Sequence, residues 1–199
     1  MGSIDVILTT QRLVLREFTI DDWRAVHTYQ SDPRYRRYYG ERDWSEAGTR
    51  AFVQRFVDNQ VESPRHKFQL AITLPGSGTL IGNCGVRLDR PGAPVGDIGY
   101  ELNPEYWGRG YATEAARAML AFGFEELGLH RVWAECVADN VGSRRVLEKL
   151  GMTLEGRLRE NQSIDGRWHD TLIYAILEQE RTTGARRVLD QLKRRIRDL

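Results

Sequence analysis

The chain has 199 residues, 41% hydrophobic and 29% charged, and its 29 lysines and arginines against 28 acids leave a formal net charge of +1. A chain of this length and balance buries a core of its own as one main domain, which excludes disordered, collagen-like, coiled-coil and disulfide-scaffold classes. No run of 18 apolar residues occurs and the opening MGSIDVILTT lacks the pattern of a secretory signal, so residence in the cytoplasm without membrane contact is expected.

Alternation over Arg12 to Phe18 predicts a first strand, with Leu13, Leu15 and Glu17 on one side and Val14, Arg16 and Phe18 on the other. Thr19 followed by Asp22 has the form of a capping box, which opens a helix running to about Gln30, before Pro33. A second helix is predicted from Ser45 to about Asn59, with Ala51, Phe52, Val53, Phe56 and Val57 on one face. Between them, Arg34-Tyr35-Arg36-Arg37-Tyr38-Tyr39 is a basic, aromatic cluster. It reads either as a loop covering a site or as a surface that stacks on bases and neutralises phosphates.

An antiparallel meander follows: Lys67 to Thr73, Leu80 to Leu88 and Asp97 to Leu102, with turns at Pro75-Gly76-Ser77-Gly78 and Arg90-Pro91-Gly92-Ala93-Pro94. In its third strand Ile98, Tyr100 and Leu102 share one face and Asp97, Gly99 and Glu101 the other, so Glu101 is a candidate to line a cleft. Next come a helix from about Ala112 to Glu126 stopped near Gly128, a strand Arg131 to Val137, and a helix Val141 to Leu150 stopped by Gly151. Two closing strands, about Thr153 to Glu160 and His169 to Leu177, join through Ile164-Asp165-Gly166-Arg167. The two cysteines, Cys84 and Cys136, fall on strands and read as small buried residues. The histidines His27, His66, His130 and His169 lack ligand spacing, and no metal is expected.

Two segments carry chemistry. In Glu105-Tyr106-Trp107-Gly108-Arg109-Gly110-Tyr111-Ala112-Thr113-Glu114 a glycine-rich turn links a strand to a helix start. Consecutive N–H groups there can converge on an anion such as a diphosphate, reinforced by the helix terminus; a plain tight connection is the other reading. A P-loop is excluded because Tyr111 stands where lysine is required. The dinucleotide fingerprint is excluded because Thr113 stands where the third glycine is required. The second segment sets Glu135 on a strand before Asp139-Asn140, Ser143 and Leu150-Gly151-Met152; alone, Asn140 is equally a helix cap and Glu135 a solvent-facing residue.

Together these segments resemble the GNAT acetyltransferase superfamily, and within it the ribosomal-protein alanine N-acetyltransferase (RimJ/RimL-like) branch. The carriers are Arg12-Leu13-Val14-Leu15-Arg16, Ile98-Gly99-Tyr100-Glu101-Leu102, Tyr106 to Ala115, Asp139-Asn140-x-x-Ser143-x-x-Val146-Leu147, Leu150-Gly151-Met152 and Glu155-Gly156. The resemblance implies an α/β (α+β) fold over residues 9–178, a mixed, mostly antiparallel sheet splayed around acetyl-CoA and flanked by helices. It implies that the pantetheine pairs near Leu102 and Asn103, that N–H groups of Trp107, Gly108, Arg109, Gly110, Tyr111, Ala112 and Thr113 hold the pyrophosphate, and that Asn140 orients the arm. Ser143 is then the acid, the tyrosine of other members being replaced by Leu147. The base is Glu135, ranked just ahead of Glu101, or a water chain to either. The acceptor is a primary amine, on a protein N-terminus or a small molecule, met by the variable segments 32–45 and 163–168, whose arginines Arg34, Arg36, Arg37, Arg42 and Arg167 suit an acidic acceptor or are solvated surface charge. A non-catalytic acetyl-CoA-binding module with a protein or RNA partner is the alternative.

Charge is unevenly placed. Residues 181–199 hold seven basic side chains and two acids, a surplus of five, which leaves the other 180 residues at −4. That acidic body argues against DNA as a partner. Val188, Leu189, Leu192, Ile196 and Leu199 fall at helical spacing, so residues 179–199 are expected to form a basic amphipathic helix that docks on the domain or joins a homodimer.

Overall fold

A computed structural model describes residues 5–180. Apart from its first two residues, the extension expected over 179–199 lies outside the described residues. An eight-stranded mixed sheet runs in the order β1-β2-β3-β4-β5-β6-β8-β7, formed by Leu8–Thr9, Val14–Arg16, Lys67–Thr73, Leu80–Leu88, Val95–Leu102, Arg131–Val137, Thr153–Ile164 and Arg167–Leu177, numbered β1 to β8 in chain order. Every neighbouring pair is antiparallel except β5 and β6, which run parallel because the helix α4 (Tyr111–Glu125) carries the chain back between them.

The central strands read as nearly continuous apolar runs because both faces of the sheet are covered. On one face α4 presents Ala115, Ala116, Met119 and Leu120 to Leu70, Ile72, Cys84, Val86 and Ile98. On the other face α1 (Trp23–Gln30), α2 (Pro33–Arg36) and α3 (Glu46–Gln60) form a second cluster in which Val26, Tyr29, Tyr35 and Val53 pack on Phe18, Ala71 and Leu80. The helix α5 (Val141–Lys149) follows β6. Both cysteines are buried and free, on β4 and β6.

Four local expectations change. A strand β1 precedes the first predicted strand, which shortens to three residues because a Thr10–Leu13 turn (2.9 Å) leads in and the chain enters the first helical turn after Phe18. The Arg34–Tyr39 segment contains a short helix, not only a loop: Asp32 accepts from the Arg34 amide (2.8 Å) and Pro33 supplies the first turn. The closing strands extend by several residues to meet at the Asp165-Gly166 turn, where both residues have positive φ, 48° and 74°. Finally, Tyr35 and Tyr39 stack on each other with centroids 4.7 Å apart, and Tyr35 is buried, so these faces are not open to bases.

The entry to α1 is held by charge. Arg16 Nη1 and Nη2 donate to the two carboxylate oxygens of Asp22 (2.7 and 2.8 Å), and the Thr19 amide donates to the same carboxylate (2.8 Å), completing the capping box. Burial alone would push the Asp22 carboxyl up, but Arg16 and Thr19 outweigh it and hold it below its ordinary 3.8. A depressed carboxyl stabilises the fold above its unfolded pKa, and that contribution is lost as pH falls through the folded value. Asp22→Asn is expected to cost about 1–3 kcal/mol in urea unfolding at pH 7, with the gap to wild type closing below about pH 4.

Candidate active site

The site begins where the sheet comes apart. β5 and β6 pair only over Val95 to Asp97 with Arg131 to Trp133, and beyond these three residues the strands diverge, β6 continuing its pairing with β8. The result is a slot through the sheet, widening into a cavity of about 840 Å³. Leu102, Trp107, Gly108, Gly110, Tyr111, Ala112 and Thr113 line it from one end, and Glu101, Tyr100, Glu135, Asn140 and Ser143 from its sides.

At the mouth the chain turns through Gly108 (φ 73°) and Gly110 (φ 81°), left-handed conformations that glycine adopts without strain. The first backbone bond within α4 runs from the Glu114 N–H to the Gly110 carbonyl (3.0 Å), so the amides of Tyr111, Ala112 and Thr113 have no acceptor inside the helix and their partial positive charge collects at this end. Arg12 braces the turn. Its Nη1 donates to the Arg109 carbonyl (3.0 Å), its Nε and amide donate to Glu114 (2.7 and 2.9 Å), and its guanidinium lies 4.6 Å from the Tyr111 ring centroid. With the loop held this way, Arg109 itself is not among the cavity-lining residues, and neither is Asn103, whose N–H is engaged with the Ile81 carbonyl (2.8 Å). Trp107 Nε1 donates to the Leu102 carbonyl (2.8 Å), fixing the end of β5 against the turn. Gly110→Ala forces a β-carbon into a left-handed position at a cost of about 1–2 kcal/mol. The expected result, by isothermal titration, is about five- to thirtyfold weaker coenzyme A binding.

On the α4 side of the slot, Asn140 caps α5: its Oδ1 accepts from the Ser143 N–H (3.0 Å). That bond sets Ser143 in the first turn, where its Oγ lies 2.9 Å from the Tyr100 hydroxyl, whose single hydrogen can go to this Oγ or to the Ser143 carbonyl (3.1 Å). Burial pushes the Tyr100 phenol well up despite its bond to Ser143, so it stays protonated. Burial likewise raises the Cys136 thiol beside them to about 11, which leaves it a thiol at neutral pH.

The opposite face of β5 carries Glu101. Its Oε2 accepts from Asn83 Nδ2 (2.9 Å), Gln30 Nε2 (3.2 Å) and the Tyr29 hydroxyl (3.3 Å). Its Oε1 has one ionic neighbour, Arg42 Nη1 at 3.7 Å, and the side chain is 11% exposed. Glu135 also lines the cavity, but it is exposed and its carboxylate has no hydrogen-bond partner among the described residues. The five expected arginines divide, Arg167 standing exposed at the start of β8. Arg34 pairs with Asp32 and Glu105, and Arg36 donates to the Gln30 carbonyl, whereas Arg37 and Arg42 line the cavity. Arg42 lies within an aromatic group, 4.6 Å from the Phe52 centroid, 5.4 Å from Trp44 and 5.5 Å from Tyr39.

Sequence reasoning did not single out Tyr29, Gln30, Gln69, Asn83 or Tyr100 as parts of the site. Gln69 and Asn83 did leave a signal, since each is a polar residue inside an otherwise apolar strand, KFQLAIT and LIGNCGVRL, where an unpartnered amide is costly. Tyr29 and Gln30, at the end of α1, left none.

The acetyltransferase (GNAT) domain model matches residues 12–153. The chain is 38% identical over 87% of its length to the uncharacterized N-acetyltransferase YnaD of Bacillus subtilis, covering 98% of that protein. It is 26% identical, over 90% of its length and 94% of the relative, to the [ribosomal protein uS5]-alanine N-acetyltransferase of Escherichia coli. A solved GNAT-family acetyltransferase from Bacillus anthracis superposes with a TM-score of 0.76 at 35% identity, covering 87% of this chain and 99% of that one. Among the described residues no helix is long and apolar enough to cross a membrane, and no group of three or more His, Cys, Asp or Glu is arranged to hold a metal ion.

Proposed function

The chain belongs to the GNAT acetyltransferase family and is an acetyl-CoA-dependent N-acetyltransferase, and from that premise we propose that Glu101 is its base and Ser143 its acid, acting across the slot between β5 and β6. Acetyl-CoA supplies an activated acetyl thioester, and the residues present fit it. The unpartnered amides of 111–113 and the open space over Gly108, where a β-carbon would meet nothing within 4 Å, suit a diphosphate, and the parted edge of β5 suits an extended arm.

The observation that carries the reading is that Glu101 and Tyr100, the partner of Ser143 on α5, are adjacent residues of β5 and therefore point to opposite faces of one slot. An amine arriving from the α1–α3 side meets Glu101 Oε1, the oxygen not already taken by three donors, which removes a proton from the ammonium. On the other face Ser143 Oγ offers its hydrogen to the departing sulfur while Tyr100 donates to that Oγ and holds it in place. Asn140 keeps Ser143 oriented through its cap. Glu135 is the less supported base, because nothing fixes its carboxylate.

The acceptor in this reading is a protein N-terminus or a small primary amine. Thiol release from acetyl-CoA, measured against N-terminal peptides and small amines in parallel, tests it; coenzyme A binding without turnover on any member of either panel overturns the assignment of Glu101 and Ser143. Cytoplasmic residence, where acetyl-CoA is available and free thiols such as Cys84 persist, is part of the same reading. So is the absence of DNA contact, which the −4 of residues 1–180 supports. A homodimer through residues 179–199 remains a proposal from their sequence pattern alone.

A further inference from the structure

A line of side-chain hydrogen bonds crosses three strands and ends on Glu101. Arg87, near the end of β4, is paired with Asp97 through Nε (2.9 Å) and Nη2, and its Nη1 donates to Gln69 Oε1 (3.3 Å). Gln69 Nε2 donates to Asn83 Oδ1 (2.7 Å), and Asn83 Nδ2 donates to Glu101 Oε2 (2.9 Å) and to the Tyr29 hydroxyl (3.0 Å). Both amides are buried, Gln69 at 4% exposure and Asn83 at 1%.

The sheet makes room for this line. Gly85 and Gly99 face each other across β4 and β5. A β-carbon on Gly85 would lie 2.2 Å from Gln69 Oε1, and one on Gly99 would lie 2.8 Å from Arg87 Nη2. Two side chains are thus missing from the middle of the sheet where the glutamine and arginine lie.

The ends of the line fix its direction. Arginine can only donate and an ionised carboxylate can only accept, while each amide between them has one accepting and one donating end. Arg87 therefore turns the oxygen of Gln69 toward itself, which turns the NH2 of Gln69 toward Asn83 and the NH2 of Asn83 toward Glu101. We propose that Arg87, Gln69 and Asn83 are positioning residues for the acetyl transfer: they aim an amide donor at Glu101 Oε2 and so leave Oε1 as the atom that takes the substrate's proton. This rests on the reading of Glu101 as the base. The other groups facing Glu101 are Tyr29 and Gln30 from α1, Tyr35 from α2, and Tyr39 and Arg42 from the segment after it. None of them orients the amides as Arg87 does.

The test reverses the line without changing its shape. In Gln69→Glu the new carboxylate accepts from both Arg87 and Asn83, turning Asn83 Oδ1 toward Glu101, a contact that only a protonated Glu101 satisfies. Gln69→Met removes the donor and adds no charge. The Glu101 carboxyl is followed by 13C NMR against pH in full-length, glutamate-labelled protein, its signal assigned by its loss in Glu101→Gln, with folding checked by circular dichroism. The expected result is a Glu101 midpoint raised by about one pH unit or more in Gln69→Glu, and raised in the same direction but less in Gln69→Met. Coenzyme A affinity should be unchanged in both. A folded Gln69→Met with the wild-type midpoint overturns the proposal. The acidic limb of kcat/KM for the acceptor separates this from the underlying reading: if that limb persists in Glu101→Gln, the base assignment fails whatever the midpoints do.

Discussion

Replacing Glu101 with glutamine is expected to slow amine acetylation by about 10²–10⁴-fold, the usual contribution of a positioned general base. The substitution is isosteric, and a glutamine oxygen can accept from the same Asn83, Gln30 and Tyr29 donors, so the fold and the coenzyme A site should persist. What disappears is the carboxylate oxygen Oε1, whose one ionic neighbour is Arg42 at 3.7 Å and which can accept the substrate's proton. The loss should fall on kcat rather than on the KM for acetyl-CoA, and the acidic limb of kcat/KM should go with it, since that limb reports the ionisation of the base. Glu135→Gln is the matched comparison. Because that carboxylate is exposed and without hydrogen-bond partners, its removal should change kcat by no more than about twofold, within the range of ordinary surface changes. Stopped-flow thiol release over pH 5 to 9 measures both, and equal losses in the two variants would count against Glu101.

The second large effect belongs to Ser143. Ser143→Ala removes the only hydroxyl that the Asn140 cap and the Tyr100 bond jointly aim, and kcat should fall about 10²-fold. Tyr100→Phe leaves the serine in place but loosens it, so its cost should be smaller, about tenfold. The double variant gives the sharper result. If Tyr100 acts through Ser143, removing it from a protein that already lacks the serine hydroxyl should cost almost nothing, a coupling that a double-mutant cycle reads directly. Additive losses would mean that Tyr100 has a separate role.

Both predictions depend on parts of the site that were unequally visible in the sequence. The main strands, the longer helices and the glycine turn at 108–110 were legible because each rests on local rules: alternation, capping by Ser45 and Asn140, and left-handed glycines. The parting of β5 and β6 was available only through resemblance, since no local signal says where two parallel strands stop pairing. Placement of Glu101 on the opposite face from Tyr100 was legible from alternation. Its partners were not, because Tyr29 and Gln30 come from a helix some 70 residues away in sequence, and their approach is decided by how α1 packs on the sheet. The short helix after Asp32 was masked by an arginine- and tyrosine-rich composition that resembles a surface loop. Only packing shows that Tyr35 and Tyr39 are used on each other.

The three paired residues that join β5 to β6 have a consequence beyond catalysis. A sheet whose two parts meet at so short a seam is, thermodynamically, a fold with one member left out, and an extended thioester arm is the member that completes it. A ligand that binds only the folded chain adds about 2.7 kcal/mol when present at a hundred times its dissociation constant, by mass action alone. Acetyl-CoA should therefore act as a stabiliser of the fold as well as a substrate, raising the midpoint of thermal unfolding as its concentration rises, a shift that calorimetry reads directly.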